Sequence, residues 1–335
     1  MKNVSKFLLV CLLSVAALGI RGQAQALVLP DPFTTSYRYG DFNSYSLPIL
    51  ANIYDIMYGV GTTNAANPFY IQSAPGLIKD SIVVATKTAM DNGSAGIDDA
   101  YQTPNSNGIT TFSTGTSPDP SPTFTGDQDT TWDAQLSELT AFLNGDDLIF
   151  LFNNNETGTG DEQNVYVWAQ VILRDSDNAA PALYYDFTND PAGGQPGGDP
   201  ADYTNTLGAW TPDADDYVLS GGGICVNALG AVVDCGSADA VKTINHNLGA
   251  NQAAYAVTSL EINDFLAAWT SDSLYDVMSV DFRLNGINNG YEQLFIQAGT
   301  IGGDTPPPPI PEPSTLLLLG SGLVGLGLLG YRRRK

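Results

Sequence analysis

The chain has 335 residues, with 13 Lys and Arg against 36 Asp and Glu and a formal net charge of −23. The ends hide a sharper asymmetry. Without Lys2, Lys6, Arg21, Arg332, Arg333, Arg334 and Lys335, the body keeps six basic residues against 35 acidic ones, 30 of them Asp. Such a body repels phosphate backbones, which excludes nucleic-acid binding, and it suits divalent cations and salty surroundings.

Residues 1–26 have the parts of a secretory signal peptide. Lys2 and Lys6 form the positive start and Phe7 to Ile20 the apolar run. Ala24 and Ala26 supply the small residues that a signal peptidase needs, with the cut after Ala26. Arg21 ends the run before a bilayer is crossed. Val10 stands before Cys11 where a lipoprotein signal wants a small residue, so Cys11 leaves with the signal.

The exported body, residues 27–305, has room for one large domain or two small ones. Two stretches read as long loops: residues 103–131, rich in Thr, Ser, Pro, Gly and Asp, and residues 189–202, where a domain break would fall. Between them, Trp132, Leu136, Leu139, Phe142 and Leu143 fall on one helical face. Thr130 and Asp133 resemble a capping box for that helix, and Asn144-Gly145 is its stop. Leu148 to Phe152 reads as a buried strand and Val165 to Leu173 as another, joined by the loop Asn153 to Asn164. Asp264 to Trp269 reads as a short helix capped by Asn263. Met278, Val280, Phe282 and Leu284 alternate with polar residues, and Asn288-Asn289-Gly290 predicts a turn that returns Tyr291 to Ala298 as the partner strand. In that hairpin Glu292 would face Arg283. The expected fold class is mainly β, an antiparallel β-sandwich-like body with one or two short helices, plus a C-terminal transmembrane helix.

Cys225 and Cys235 have nine residues between them, with Gly230 at the midpoint and Val226 and Val232-Val233 beside it. That pattern suits a hairpin with the two cysteines facing each other, and export favours a disulfide.

The tail carries the clearest signal. Pro306 to Pro309 make a stiff extended spacer. Pro311-Glu312-Pro313 follows, then an apolar Gly-rich run to Tyr331, then Arg332, Arg333, Arg334 and Lys335. Residues 314–331 as a helix would reach roughly 27 Å, enough for a bilayer core. The terminal cations hold the cytoplasmic side, which places the body outside. This tail resembles the PEP-CTERM sorting signal, with Ile310 where that pattern often has Val. The resemblance implies recognition of Pro311, Glu312 and Pro313 by an exosortase, a membrane-embedded Cys transpeptidase. It also implies a Gram-negative-type envelope and delivery to the cell surface or to an extracellular, biofilm-associated polysaccharide matrix. The implied partners are signal peptidase, exosortase, the membrane before processing, and polysaccharide.

Chemistry in the body is sparse by sequence. The chain has one histidine, His246, and no Gly-x-Ser-x-Gly elbow, so nucleophilic catalysis is a poor fit. Zinc would need more Cys and His, and no phosphate-binding Gly loop is followed by Lys. Calcium is the one cofactor the composition favours. Its weak candidates are Asp175 and Asp177 with Asn178, Asn155 and Glu156 in the 153–162 loop, Asp127 with Asp129, and Asp213 with Asp215 and Asp216. Glu156 is also the most site-like carboxylate for a secreted glycoside hydrolase. Tyr37, Tyr39, Tyr45, Tyr54, Tyr58 and the four Trp could stack on sugar rings in a calcium-dependent carbohydrate-binding module. The first reading remains a non-enzymatic exported surface or matrix protein, with the module second and the hydrolase third.

Overall fold

The computed structural model describes residues 27–303 apart from 75, 79, 106–107, 158, 190–207, 209–210 and 289. The signal peptide, the sorting tail and its transmembrane helix therefore lie outside the described residues.

Two sheets face each other. The first runs β2 (Tyr37–Tyr39), β3 (Phe42–Ser46), β14 (Tyr255–Thr258), β8 (Asp147–Asn153), β16 (Gln293–Ile301), β4 (Ile82–Thr86) and β5 (Tyr101–Gln102), with β1 (Leu27–Leu29) parallel to β16. The second runs β10 (Leu183–Phe187), β9 (Val165–Arg174), β15 (Val277–Asn285) and β6 (Thr111–Ser113). In that sheet β11 (Val218–Ser220) also pairs with β9, and β7 (Trp132–Gln135) with β15. β9 and β15 are antiparallel from Val277 opposite Arg174 to Asn285 opposite Tyr166. Alternation then sorts the side chains. Val167, Val171, Leu173, Met278, Val280, Phe282 and Leu284 turn inward onto Phe150, Phe152, Leu294 and Ile296 of the first sheet. Gln170, Arg174, Ser279, Asp281 and Arg283 occupy the other parity and form the outer face.

A second core covers the far side of the first sheet. Helix α2 (Leu47–Tyr58) follows the short α1 (Pro32–Thr35) and lays Leu47, Leu50, Ala51 and Tyr54 on Val83, Ile149, Leu151 and Phe295. Its local signals are complete. The Ser46 hydroxyl accepts from the Ile49 amide, Pro48 lies in the first turn, and Gly59 closes the helix at φ 68°. Helices α3 (Leu136–Leu143) and α4 (Leu260–Ala268) carry the chain between the sheets, with Leu136, Leu139, Leu143, Ile262 and Leu266 in the inter-sheet core. The small ribbon of β12 (Gly223–Val226) and β13 (Lys242–Asn245) packs Val226 and Ile244 onto Ile49 of α2.

Several expectations change. The described residues hold four α-helices, not one or two, although α1 is a single turn. Trp132 to Gln135 is strand, so the helix begins at Leu136. Gln135 stands at its N-cap without a side-chain cap bond, while Asp133 is spent elsewhere. The stop is as expected, with Asn144 at φ 50°. Helix α4 starts earlier than Asp264, capped by the Ser259 hydroxyl. Asn263 lies inside that helix, accepting from the Leu148 amide and donating to the Leu148 carbonyl. β15 and β16 do not form a hairpin. β16 is buried on both faces between the two cores, so it belongs in the first sheet beside β8. Glu292 consequently does not meet Arg283, which pairs with Asp281 at 2.6 Å and lies over the Trp168 ring.

Candidate functional site

The sequence candidates fall in four places. Ala24, Ala26, Pro311, Glu312, Pro313 and Arg332 to Arg334 lie outside the described residues. Cys225 and Cys235 form a disulfide with Cα atoms 5.0 Å apart. The strand partner of Cys225 is Thr243, however, and the bridge Val226–Val232 leads into the turn that carries Cys235 back. Asp175 is buried, and its carboxylate accepts the amides of Asp177, Ala179 and Ala180, which close the turn after β9. Asp177 is exposed on that turn. Asn155 and Glu156 stand at the other end of β9, roughly 30 Å away at ~3.3 Å per residue, so the two pairs cannot share an ion.

The aromatics mostly serve the core. Tyr45, Tyr54, Trp132 and Trp168 are buried, and Tyr37 and Tyr58 are the exposed members of the proposed sugar platform. Asp213 and Asp216 cap each other's backbone across a short turn.

Glu156 does find a partner. It is buried beside Glu292, and Glu156 Oε1 and both carboxyl oxygens of Glu292 have no donor among the described residues. The Asn288 amide donates to Glu156 Oε2, and Asn247 brackets the Glu156 backbone with bonds of 3.1 and 2.6 Å. Gly290 permits this closeness, because a Cβ there would collide with the Asn155 carbonyl. Burial pushes both carboxyls above the usual carboxylate range, Glu292 well above it. Two adjacent buried carboxyls favour holding a proton between them over carrying two charges. Both are buried, so neither is presented to a sugar as a glycosidase carboxylate would be.

A second carboxyl centre lies on the outer face of the second sheet, at its β7 edge. Trp132 and Ala134 point inward, so Asp133 points outward. Residues Gly96–Asp98 run alongside β7. Gln135 donates to the Gly96 carbonyl, the Asp98 amide to the Asp133 carbonyl, and the Asp133 amide to Asp98 Oδ2 at 2.7 Å. The 118–131 loop folds over them and brings in Asp127 from a turn whose Gly126 has φ +90°. Carboxylate oxygens of Asp98, Asp127 and Asp133 all lie within 4.8 Å of one another.

The three acids are compensated unequally. Asp133 is fully served. Arg174 donates at 2.8 Å and Ser279 to the same oxygen, while the Gln128 amide and Thr131 hydroxyl serve the other. Asp98 Oδ1 and Asp127 Oδ1 are enclosed and have no donor among the described residues. Asp119 adds charge nearby, held by the Tyr101 hydroxyl at 3.1 Å. Burial pushes Asp98 up to about 9, against the pull of the Asp133 amide, and burial with the charges of Asp119 and Asp133 pushes Asp127 up to about 6. Oxygen ligands of this kind suit a hard cation.

In the sequence Asp127 pairs by spacing with Asp129, and nothing local marks Asp98 as its neighbour. Asp98 is 35 positions from Asp133, and its Gly-Ile-Asp-Asp-Ala setting has no motif. One signal was available. Arg174 ends an apolar strand in a body with six basic residues, and a buried arginine demands a carboxylate.

A family model described as domain of unknown function (DUF8239) matches residues 27–283, and the PEP-CTERM protein-sorting motif matches residues 309–335. No curated protein and no solved structure matches the chain. The sorting motif makes this an exported, exosortase-targeted protein with a membrane-anchored precursor. The chain belongs to the DUF8239 family, carried on a PEP-CTERM tail.

Proposed function

We propose that this protein is a non-enzymatic component of the bacterial cell surface or extracellular polysaccharide matrix. It is released from its signal peptide after Ala26, and an exosortase then sorts and processes it through the tail. The observation that carries this reading is the sorting motif at residues 309–335, placed directly after an acidic body that has the composition of an exported domain. Two further features support it. Leu27, the residue after the expected cut, is buried and pairs in β1 with Gly299. Glu156, the carboxylate most suited by sequence to a hydrolase, is buried in the fold.

The test is delivery. Replacing Arg332, Arg333 and Arg334 by neutral residues removes the cytoplasmic hold on the tail, so retention and sorting should fail and precursor should accumulate or leak. Surface delivery equal to wild type would refute the assignment.

A further inference from the structure

We propose that Asp98, Asp127 and Asp133 bind one calcium-type divalent cation, in the seam between β7, the strand-like segment Gly96–Asp98 and the 118–131 loop. The proposal does not depend on how the chain is sorted.

Clustered acids alone would not justify this, because acidic loops are common in a body of this charge. Two orphaned oxygens set this cluster apart from an ordinary acidic loop. Asp98 has no exposed surface, and its Oδ2 is used by the Asp133 amide. Its Oδ1 is enclosed without a donor, and Asp127 Oδ1 is enclosed in the same way. Buried carboxylate oxygens are in the large majority satisfied, because a bare one has lost its hydration without replacement. Here the usual remedies are spent. Among the described residues the ion pairs are Arg174–Asp133 and Arg283–Asp281, and Arg174 already serves Asp133 and the Gly126 carbonyl. What remains is a compact set of hard oxygens facing one another within 4.8 Å. Ligands ~2.3–2.6 Å from a shared calcium ion stand that far apart or closer. Magnesium needs a tighter, nearly ideal octahedron, and no nitrogen or sulfur ligand in the set invites zinc.

The ion would join three segments distant in sequence. Asp98 comes from the β4–β5 connection, Asp127 from the long loop before β7, and Asp133 from β7 itself. It would fasten a Thr-, Ser- and Pro-rich loop to the sheet where the chain has few apolar residues to do so.

The alternative occupant of the gap is a single proton shared by Asp98 and Asp127. Titrating calcium into the full-length protein, stripped first with a chelator and followed by calorimetry, separates the two. The expected result is one calcium per chain, competed only weakly by magnesium. Affinity should fall about tenfold or more in Asp127→Asn and in Asp98→Asn. Asp127→Asn decides the matter if Asp98→Asn fails to fold, since Asp127 is only half-buried. Asp175→Asn, at the closed turn after β9, should bind calcium as wild type does. No heat at millimolar calcium would overturn the proposal in favour of the proton, as would binding that Asp127→Asn leaves unchanged.

Discussion

The two carboxyl centres show two ways in which a fold with few cations handles buried acid. At the Glu156–Glu292 centre two acids lie side by side with bare oxygens and no base paired with them among the described residues, and burial raises their proton affinity so that charge is removed. At the Asp98–Asp127–Asp133 centre one acid has a full set of donors while its neighbours keep bare oxygens. Arg174 explains the difference. It reaches Asp133 from the end of β9 and leaves Asp98 and Asp127 facing a gap. A proton is small enough for adjacent carboxyls, whereas three acids spread over 4.8 Å leave space for an ion.

The largest effect should come from removing that arginine. Arg174→Met leaves Asp133 buried without its cation, and chemical denaturation should report a loss of about 3–5 kcal/mol. A loss under about 1 kcal/mol would mean that Ser279, Thr131 and the Gln128 amide suffice. The next effect concerns His246, close to the glutamate centre through Asn247. It is buried, stacks on Tyr255 and bonds the Ser46 hydroxyl at 2.7 Å, and burial lowers it to about 4. Its neutral form is favoured on folding, so stability is complete above about pH 6.5. It is lost as the pH falls towards about 4, by up to about 3 kcal/mol. A His246→Gln variant should lack this acid limb in pH-dependent melting.

Calcium removal comes third. At a free concentration of about a hundred times its dissociation constant, the ion should add about 2.7 kcal/mol, and a chelator should abolish this in wild type but not in Asp127→Asn. The smallest effect belongs to the glutamates. Their raised values mean that their contribution is full below about pH 4.5 and declines as the pH rises above it. Glu292→Gln supplies a neutral amide to the bare Glu156 Oε1. It should stabilise the protein at pH 7 by about 1–2 kcal/mol and flatten that decline. Destabilisation by the variant would show that the pair is not a shared-proton contact.

How far the fold was legible depends on how local its causes are. Leu148 to Phe152, Val165 to Leu173 and Met278 to Leu284 lie in strands because burial parity is written into neighbouring residues. Asn144 ends its helix because Asn and Gly tolerate a left-handed backbone. Trp132 misled because its spacing to Leu136, Leu139 and Leu143 fits a helix, while its real partner Val280 lies almost 150 residues away. Glu292 was assigned to Arg283 by assuming that adjacent strands pair, and the sandwich instead sends them to opposite sheets. The acidic centre was the least legible part. Its members come from segments brought together by pairing between Gly96–Asp98 and β7 and by the 118–131 loop that folds over both. Spacing can suggest that Asp127 is an acid in a turn but not what it faces.

The claim that this body is exported and sorted through its tail is tested most directly by the intact mass of the protein recovered from the native cell surface or medium. The account predicts a chain that begins at Leu27 and ends near Pro313, with or without an added group. A chain that still carries residues 314–335 would contradict it, making the tail an ordinary anchor and the protein a tethered membrane domain.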